Sequence, residues 1–406
     1  MEFAYAPDWV IDGMPPLSQS LPLDGGFDGA AAAAFFGGLL PEGGPRRQLA
    51  RLIGISESND YSMLAMIAGD TAGAITLLPE GEPPGPVGSN AEWLDDRGLA
   101  ELLDELPSRP MHVDEDDEYR LSLAGAQDKL PVVVDEDERI GLTRGQTPST
   151  HIIKTPIERL AHTVVNEAFC PMIGRALGVE VVDASAQRVA GRDFLLVRRY
   201  RRRSDDAIVR LHQEDFCQAL GAPSARKYEA EGGPSLADCF ALIRRATAVP
   251  AREVIKLLDY VALNFLVGNH DAHGKNYSLL YLPESGRPIL APAHDVLSTF
   301  AYRKTHNLTR KMAMSIGGEY RPEYVRARHL DRLFDEAGLG GAAARRHLRE
   351  MARDAAGAAR EARERLIAAD WDAPILERVV DLIDQRAQWM LQIAAPAAAA
   401  PRPSSR

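Results

Sequence analysis

An acid and an amide lie five residues apart in a polar cluster that could carry group-transfer chemistry. The cluster, residues 268–276 (GNHDAHGKN), directly follows an apolar stretch, 254–267, that predicts a long helix. Asp271 and Asn276 on this short segment would allow one tight loop to hold a general base and a metal ligand. Asp and Asn also serve as turn or capping residues, and the pair alone leaves both interpretations open.

A second acid follows at a position that suits phosphoryl transfer. Asp295 comes 19 residues after Asn276, beyond a predicted hairpin with strands at 277–282 and 289–290. The spacing from Asp271 to Asn276 matches the D-x-x-x-x-N of a protein-kinase catalytic loop, and Asp295 falls where such a site has its metal-binding Asp. Phosphoryl transfer needs these parts because positioning and metal charge lower its barrier.

The preceding part of the chain is rich in predicted strands and could bind a nucleotide. Residues 122–129 (SLAGAQDK) form a turn of small residues, suited to placing backbone amides near phosphates. Lys154 ends a predicted strand, 150–154, and could pair with Glu167 on a predicted helix, 160–177. An ordinary hairpin turn and a surface ion pair remain open for these two features.

A hinge for adenine would fall after the predicted strand 194–198, at Arg198, Arg199 and Tyr200. The basic run 198–203 is also typical of a solvated loop.

Two other function classes compete with a kinase. The dyad His270-Asp271, with His273 and His294 near it, is compatible with a metal-dependent phosphohydrolase. That interpretation leaves the small-residue turn and Lys154 unexplained. A kinase-like protein that mainly binds a repressor is the other alternative, although the presence of the acids and the lysine argues against a dead site.

The composition excludes several classes of protein. Among 406 residues there are 47 Lys and Arg against 58 Asp and Glu, and a net charge of −11 does not suit a nucleic-acid coat. No apolar run approaches the ~20 residues of a membrane helix, and the first residues lack a signal-peptide pattern. Cys170, Cys217 and Cys239 show neither metal-ligand spacing nor an even count for disulfides. We expect a cytoplasmic protein of several domains.

The order of predicted elements indicates an α+β chain with a two-lobed, protein-kinase-like fold. The expected parts are a small mixed N-terminal domain, a linker, a strand-rich nucleotide-binding lobe, a largely helical lobe and a disordered tail, over 1–80, 81–92, 93–212, 213–394 and 395–406. The helices predicted over 342–394 carry no recognisable motif.

Several motifs in chain order resemble the HipA family, the toxin kinases of bacterial type II toxin–antitoxin pairs. They are 15–23 (PPLSQSLPL), 121–129 (LSLAGAQDK), 150–154 (THIIK), 213–218 (QEDFCQ), 227–229 (KYE), 232–234 (GGP), 271–276 (DAHGKN) and 311–314 (KMAM). The resemblance runs from about Phe3 to at least Gly317. Family members begin with a strand hairpin before the segment that matches 3–9. This sequence has no such hairpin, which is expected either if the start of the chain is misassigned or if the N-terminal domain lacks a strand or two.

The resemblance implies roles for individual residues. Asp271 would be the catalytic base, Asn276 and Asp295 would hold Mg²⁺, and Ser122 would be an autophosphorylated serine whose modification inactivates the kinase. Residues 124–129 would form the phosphate loop, and Lys154 would be the phosphate-binding lysine, supported by Glu167. The residues expected to contact ATP are Ala124, Gly125, Ala126, Gln127, Asp128, Lys129, Lys154, Arg198, Arg199, Tyr200, His273, Gly274, Lys275, Asn276, His294 and Asp295.

The resemblance also implies partners. The substrate would be a serine on a translation protein, glutamyl-tRNA synthetase in the best-known member. The usual partner is a small helix-turn-helix antitoxin, the HipB type, through which the pair binds operator DNA, so the acidic charge of this chain is no obstacle.

Overall fold

The computed structural model describes most of the chain, namely residues 2–67, 71–82, 91–108, 127–143, 147–204, 207–283, 286–306 and 308–395. The predictions for Ser122, Ala124, Gly125 and Ala126 lie outside the described residues, as do most of the predicted linker and all but Ala395 of the predicted tail.

Helices form most of the regular structure. Those in the described residues are α1 (Pro7–Ile11), α2 (Gly29–Gly37), α3 (Gly43–Leu52), α4 (Asp60–Ile67), α5 (Asp96–Glu105), α6 (Thr163–Ala176), α7 (Phe216–Ala219), α8 (Leu236–Ala246), α9 (Pro250–Val267), α10 (Arg303–His306), α11 (Ala327–Ala337), α12 (Gly341–Ala368) and α13 (Pro374–Ile393). The strands are β1 (Ala91–Trp93), β2 (Lys129–Val134), β3 (Ile140–Thr143), β4 (His151–Lys154), β5 (Ala184–Val189), β6 (Arg192–Arg198), β7 (Arg201–Ser204), β8 (Ala207–Arg210), β9 (His212–Asp215), β10 (Ser278–Tyr281) and β11 (Pro288–Leu290).

The N-terminal domain carries its regular structure as helices α1 to α4. In its described residues, strand-type pairing is limited to one isolated bridge between Ser18 and Leu21, although the sequence favours a mixed domain. Asp28 begins α2 by accepting hydrogen bonds from the amides of Ala30 and Ala31, which satisfies two donors of the first turn.

A six-stranded antiparallel sheet, in the order β1-β3-β2-β4-β6-β5, forms the strand lobe. Its register places Lys129 opposite Lys154, so two lysines share one end of neighbouring strands. Buried Leu130 and Val132 of β2 pack in one core with Phe35 of the N-terminal domain. The N-terminal domain is therefore joined to this sheet by apolar packing.

Paired strands lie at two of the expected domain boundaries. Ala91 and Glu92, expected at the end of a linker, form β1 because they pair with Thr143 and Leu142 of β3. The boundary expected between residues 212 and 213 falls inside β9, since residues 212–215 pair with β10. The basic run expected as a solvated loop continues into β7, which pairs with β8 as a two-stranded ribbon.

The helical lobe packs around α9, which agrees with the long helix predicted over 254–267. Tyr260 and Leu263 of α9 are buried in one core with Ile383 of α13. Helix α6 packs against α12 and α13 on one side and against β5 and β6 on the other. No helix in the described part of the chain is long and apolar enough to span a bilayer.

A short parallel bridge joins the two lobes behind the space that they enclose. Val181 lies just before β5, and Ala293 lies just after β11. The amide of Ala293 donates to the Glu180 carbonyl at 2.9 Å, and the amide of Val182 donates to the Ala293 carbonyl at 2.9 Å. Two residues after this bridge the chain reaches Asp295.

Candidate active site

Lys154 lies at the meeting point of the strand lobe and the helical lobe. It ends β4, and its Nζ lies 2.5 Å from Glu167 Oε1 on α6. The same Nζ also pairs with Asp295 Oδ1. Burial alone would lower the pKa of Lys154, but Asp295 and Glu167 outweigh it and raise that pKa above its usual range. Lys154 is therefore a permanent cation between two carboxylates.

Asp295 has a backbone conformation that few non-glycine residues adopt. Its φ of 53° lies in the left-handed region, which costs about 1–2 kcal/mol for a residue with a Cβ. Asn269 Nδ2 donates to the Asp295 carbonyl at 3.2 Å and so holds this turn to the end of α9. Burial would raise the pKa of Asp295, yet Lys154 and His294 outweigh it and keep that pKa well below its usual range. Its carboxylate is thus ionised.

Asp271 is held by two hydrogen bonds on the loop that follows α9. Its amide donates to Asn269 Oδ1 at 3.1 Å, and its Oδ1 accepts the Tyr228 hydroxyl at 2.8 Å. The side chain remains exposed to the space between the lobes, although the crowding protein desolvates it and raises the pKa of Asp271. Asp271 is thus oriented, accessible and more basic than an ordinary aspartate.

Gly274 allows this loop to pack closely. A Cβ at Gly274 would lie 2.8 Å from Cys217 Sγ and 2.9 Å from Pro234 Cγ. The Gly274 amide donates to the Lys227 carbonyl at 3.2 Å. A larger residue at position 274 would push the loop away from this support. Asn276, which lies two residues further along the loop, would then move as well.

One cavity of about 1070 Å³ brings the expected functional side chains together. This volume is sufficient for a nucleotide, since small-molecule sites typically occupy about 300–1,000 Å³. Its wall includes Lys129, Lys154, Tyr200, Asp271, Asn276 and Asp295. We call this cavity the cleft. Gln127, Asp128, His273, Lys275 and His294 also line it.

The described end of the predicted phosphate loop is tied to the residue after β4. Gln127 Nε2 donates to the Thr155 carbonyl at 2.7 Å, and the Thr155 amide donates to the Asp128 carbonyl at 3.2 Å. Burial raises the pKa of Asp128, and its Oδ1 has no hydrogen-bond partner among the described residues. Burial also lowers the pKa of Lys129 to about 8.

Two backbone amides of the expected hinge donate hydrogen bonds to other parts of the fold. The Arg198 amide donates to the Asp183 carbonyl at 2.8 Å, and the Arg199 amide donates to the Thr150 carbonyl at 3.0 Å. Arg198, Arg199 and Tyr200 all line the cleft, and the Tyr200 hydroxyl donates to the Pro292 carbonyl at 2.7 Å. The backbone amides of Arg198 and Arg199 therefore have partners within the fold.

His270 anchors the loop to the helical lobe through Arg386 and Phe300. Its Nε2 lies 3.4 Å from Arg386 Nη2 on α13, and its ring packs 5.0 Å from that of Phe300. Burial and the charge of Arg386 lower the pKa of His270 to about 3. Among the described residues, no group of three or more His, Cys, Asp or Glu side chains is arranged to hold a metal ion.

Three residues near the loop have no role in the sequence prediction. Tyr228 belongs to the KYE motif, which signalled family membership but not contact with Asp271. Arg386 lies in helices without a motif. Glu42 comes from the N-terminal domain and pairs with Lys227 and Lys275. Such long-range contacts leave no local pattern in a sequence.

Two family models match the chain. The HipA-like C-terminal domain matches residues 121–361, and the HipA N-terminal domain matches residues 1–78. The chain belongs to the HipA family. These matches confirm the family suggested by the motifs. The cleft residues from Lys129 to Asp295 lie within the match to the C-terminal domain.

Curated relatives and a solved structure agree with this membership. The putative kinase Y4mE of Sinorhizobium fredii is 44% identical over 357 residues, which cover 86% of this chain and 83% of the relative. The serine/threonine-protein kinase toxin HipA of Shewanella oneidensis is 30% identical over 82% of this chain and 78% of the relative. A HipA chain in the solved complex of Shewanella oneidensis HipA, HipB and operator DNA superposes with a TM-score of 0.79 at 27% identity, over 96% of this chain and 91% of that one. The predicted two-lobed kinase-like fold and the protein-kinase activity are confirmed.

Proposed function

We propose that this HipA-family protein is the ATP-dependent serine/threonine kinase toxin of a HipBA-like type II toxin–antitoxin pair. The observation that carries the proposal is the contact of Lys154 with both Glu167 and Asp295 in the cleft that Asp271 and Asn276 also line. A kinase needs such a lysine to be fixed next to its metal-binding acid, because phosphoryl transfer depends on positioned charge.

Asp271 suits the role of catalytic base. It is exposed to the cleft and oriented by Tyr228 and Asn269, so its free oxygen can accept the proton of a serine hydroxyl. Burial raises the pKa of Asp271, which makes its carboxylate a better proton acceptor than that of an ordinary aspartate.

The donor set of the cleft fits Mg²⁺. Asp295 offers an ionised carboxylate and Asn276 an amide oxygen, and Mg²⁺ prefers hard oxygen ligands with one or two protein carboxylates. When bound, Mg²⁺ would supply positive charge against the phosphate oxygens. Lys154 and Lys129 would add their ammonium groups to the phosphates, and Tyr200 would face the adenine.

The fine details of regulation and partners form part of the same proposal. Ser122 would be autophosphorylated, which would remove the loop 124–129 from the phosphates and switch the kinase off. The acceptor protein would be a translation enzyme such as glutamyl-tRNA synthetase. A HipB-like antitoxin would bind the chain and connect it to operator DNA, as HipA and HipB occur together with operator DNA in the Shewanella complex.

The phosphohydrolase alternative is disfavoured by the placement of His270. Its Nε2 faces Arg386, whose cationic guanidinium opposes a metal ion at the same nitrogen. The relatives that match the chain are named kinases, which favours phosphoryl transfer from ATP over hydrolysis.

The proposal is tested by incubating the full chain with radiolabelled ATP and Mg²⁺ and mapping the labelled residues. Asp271→Asn removes the base, and Asp354→Asn, an exposed position on α12, is the matched control. We expect label on Ser122 in the wild type and in Asp354→Asn, and none in Asp271→Asn. Purified glutamyl-tRNA synthetase added as acceptor should be labelled by the same two proteins. If the wild type neither transfers label nor binds ATP, the kinase toxin proposal is wrong and a co-repressor role takes its place.

A further inference from the structure

Glu42 brings a carboxylate from the N-terminal domain to the catalytic loop. It directly precedes α3, and its side chain is only 16% exposed. Glu42 Oε2 lies 2.7 Å from Lys227 Nζ, and Glu42 Oε1 lies 3.3 Å from Lys275 Nζ. Burial alone would raise the pKa of Glu42, but Lys275 and Lys227 outweigh it and lower that pKa. One ionised carboxylate therefore binds two lysines.

The two lysines depend on Glu42 to different degrees. Lys275 Nζ also lies 3.2 Å from Asp215 Oδ2, 3.0 Å from the Gly38 carbonyl and 3.2 Å from Ser224 Oγ. Lys227 has no second carboxylate partner within the described ranges. Loss of Glu42 would therefore leave Lys275 paired and Lys227, whose side chain is 17% exposed, without its counter-charge.

Lys227 is connected to the candidate base by the residue next to it. Its carbonyl accepts the Gly274 amide at 3.2 Å, and its ammonium lies 5.6 Å from the centre of the Tyr228 ring. Tyr228 in turn donates to Asp271 at 2.8 Å. Lys227, Tyr228 and Asp271 all line the cleft.

We propose that Glu42 is a positioning residue of the phosphotransfer site, which holds Lys227 beside Tyr228 and Asp271. The N-terminal domain is then part of the kinase site as well as a neighbour of it. This inference rests on the proposed function, because it assumes that phosphoryl transfer takes place at Asp271. A lysine ammonium without Glu42 is attracted to Asp271, which would pull the base out of position.

The test compares ADP release by the full chain with ATP, Mg²⁺ and the same purified acceptor in the wild type and in five variants, one of which combines two substitutions. Glu42→Gln removes the charge and keeps the shape, and Lys227→Met removes the positioned cation. Glu57→Gln is the control for an exposed glutamate of the same domain. Gln19→Ala is the control for docking, since it deletes only the 3.1 Å hydrogen bond from Gln19 Nε2 to Tyr281 of the helical lobe.

We expect Glu42→Gln to lower kcat on the order of 10- to 100-fold, the usual effect of a misplaced catalytic group, with little change in the KM for ATP. Combining Glu42→Gln with Lys227→Met should cost no more than the larger single effect, because both act through one cation. Glu57→Gln and Gln19→Ala should retain wild-type kcat.

Three outcomes would contradict the inference. An unchanged kcat in Glu42→Gln, beside an active wild type, overturns the role of Glu42 and leaves the proposed function standing. Equal losses in Gln19→Ala and Glu42→Gln assign the effect to domain docking. A wild type that releases no ADP and takes up no label removes the proposed function, and this inference with it.

Discussion

The Tyr228 hydroxyl and the Asp271 carboxylate form a 2.8 Å hydrogen bond across 43 residues of chain. This bond stabilises the ionised acid, in opposition to the crowding that raises the pKa of Asp271. Together with the charges of Lys227 and Asp295, these two effects determine the pKa of the candidate base.

Tyr228→Phe should therefore shift the acid limb of the kcat–pH profile to higher pH. Without its donor the Asp271 carboxylate is less stable, its pKa rises, and less base is ionised at any acidic pH. Activity should fall more at pH 6 than at pH 8. Tyr324→Phe, at an exposed position, should follow the wild-type profile. A uniform loss at every pH would show that Tyr228 acts through shape and not through the pKa of Asp271.

Lys154→Met should abolish phosphoryl transfer and also destabilise the fold, because it leaves the buried Glu167 carboxylate unpaired. Removing one partner of a buried pair typically costs about 3–5 kcal/mol. The double variant Lys154→Met with Glu167→Gln should recover much of that stability and none of the activity. Urea unfolding measures the stability, and label transfer from radiolabelled ATP measures the activity. Recovery of activity in the double variant would mean that Lys154 is only a structural cation.

Glu214 should make stability fall as the pH rises towards neutrality. It accepts hydrogen bonds from Ser18 Oγ, from the Gln19 amide at 3.1 Å and from Tyr281 at 2.5 Å, where the N-terminal domain meets β9 and β10. Burial nevertheless raises the pKa of Glu214 to about 7 from an ordinary 4.5. Between these values the folded chain keeps a proton that the unfolded chain has released, so the free energy of unfolding decreases by up to about 3 kcal/mol.

Glu214→Gln should remove this contribution. Urea unfolding at pH 5, 6, 7 and 8 should show a smaller decrease for Glu214→Gln than for the wild type. Glu57→Gln serves as the reference, since Glu57 is exposed. Parallel stability profiles for the wild type and Glu214→Gln would assign the pH dependence to other groups.

Gly268→Ala should destabilise the protein more than Gly178→Ala. Both glycines follow helices with positive φ, 73° and 77°, so alanine suffers similar backbone strain at each. Only at Gly268 would the new Cβ collide, 2.5 Å from Leu382 Cδ2 on α13, whereas it meets nothing within 4 Å at Gly178. The difference, about 1–3 kcal/mol of overpacking, should appear in urea unfolding together with reduced kcat. Equal losses of stability in the two variants would mean that Leu382 on α13 moves aside without cost.

Local spacing explains why much of the site could be predicted. Asp271 and Asn276 lie on one loop, and Lys154 and Asp295 each end a short apolar strand or hairpin whose pattern is visible. Glu42 could not be found in this way, because 185 residues separate it from Lys227. Arg386 likewise reaches His270 across 116 residues from a helix whose pattern indicates only packing.

The same limit applies to the fold. Strands β4 and β6 were visible as apolar runs, whereas the three-residue β1 and the basic β7 exist because they pair with β3 and β8. Their partners, and not their own composition, decide that they are strands.

The bridge between Val181 and Ala293 gives the molecule a mechanical axis. If the lobes rotate apart to admit or release a ligand, the points joined by this bridge move least, and displacement grows with distance from it. Asp295 lies two residues from this bridge and also pairs with Lys154 of β4, so it is attached to both lobes. The candidate metal ligand Asp295 therefore lies where the two lobes are joined.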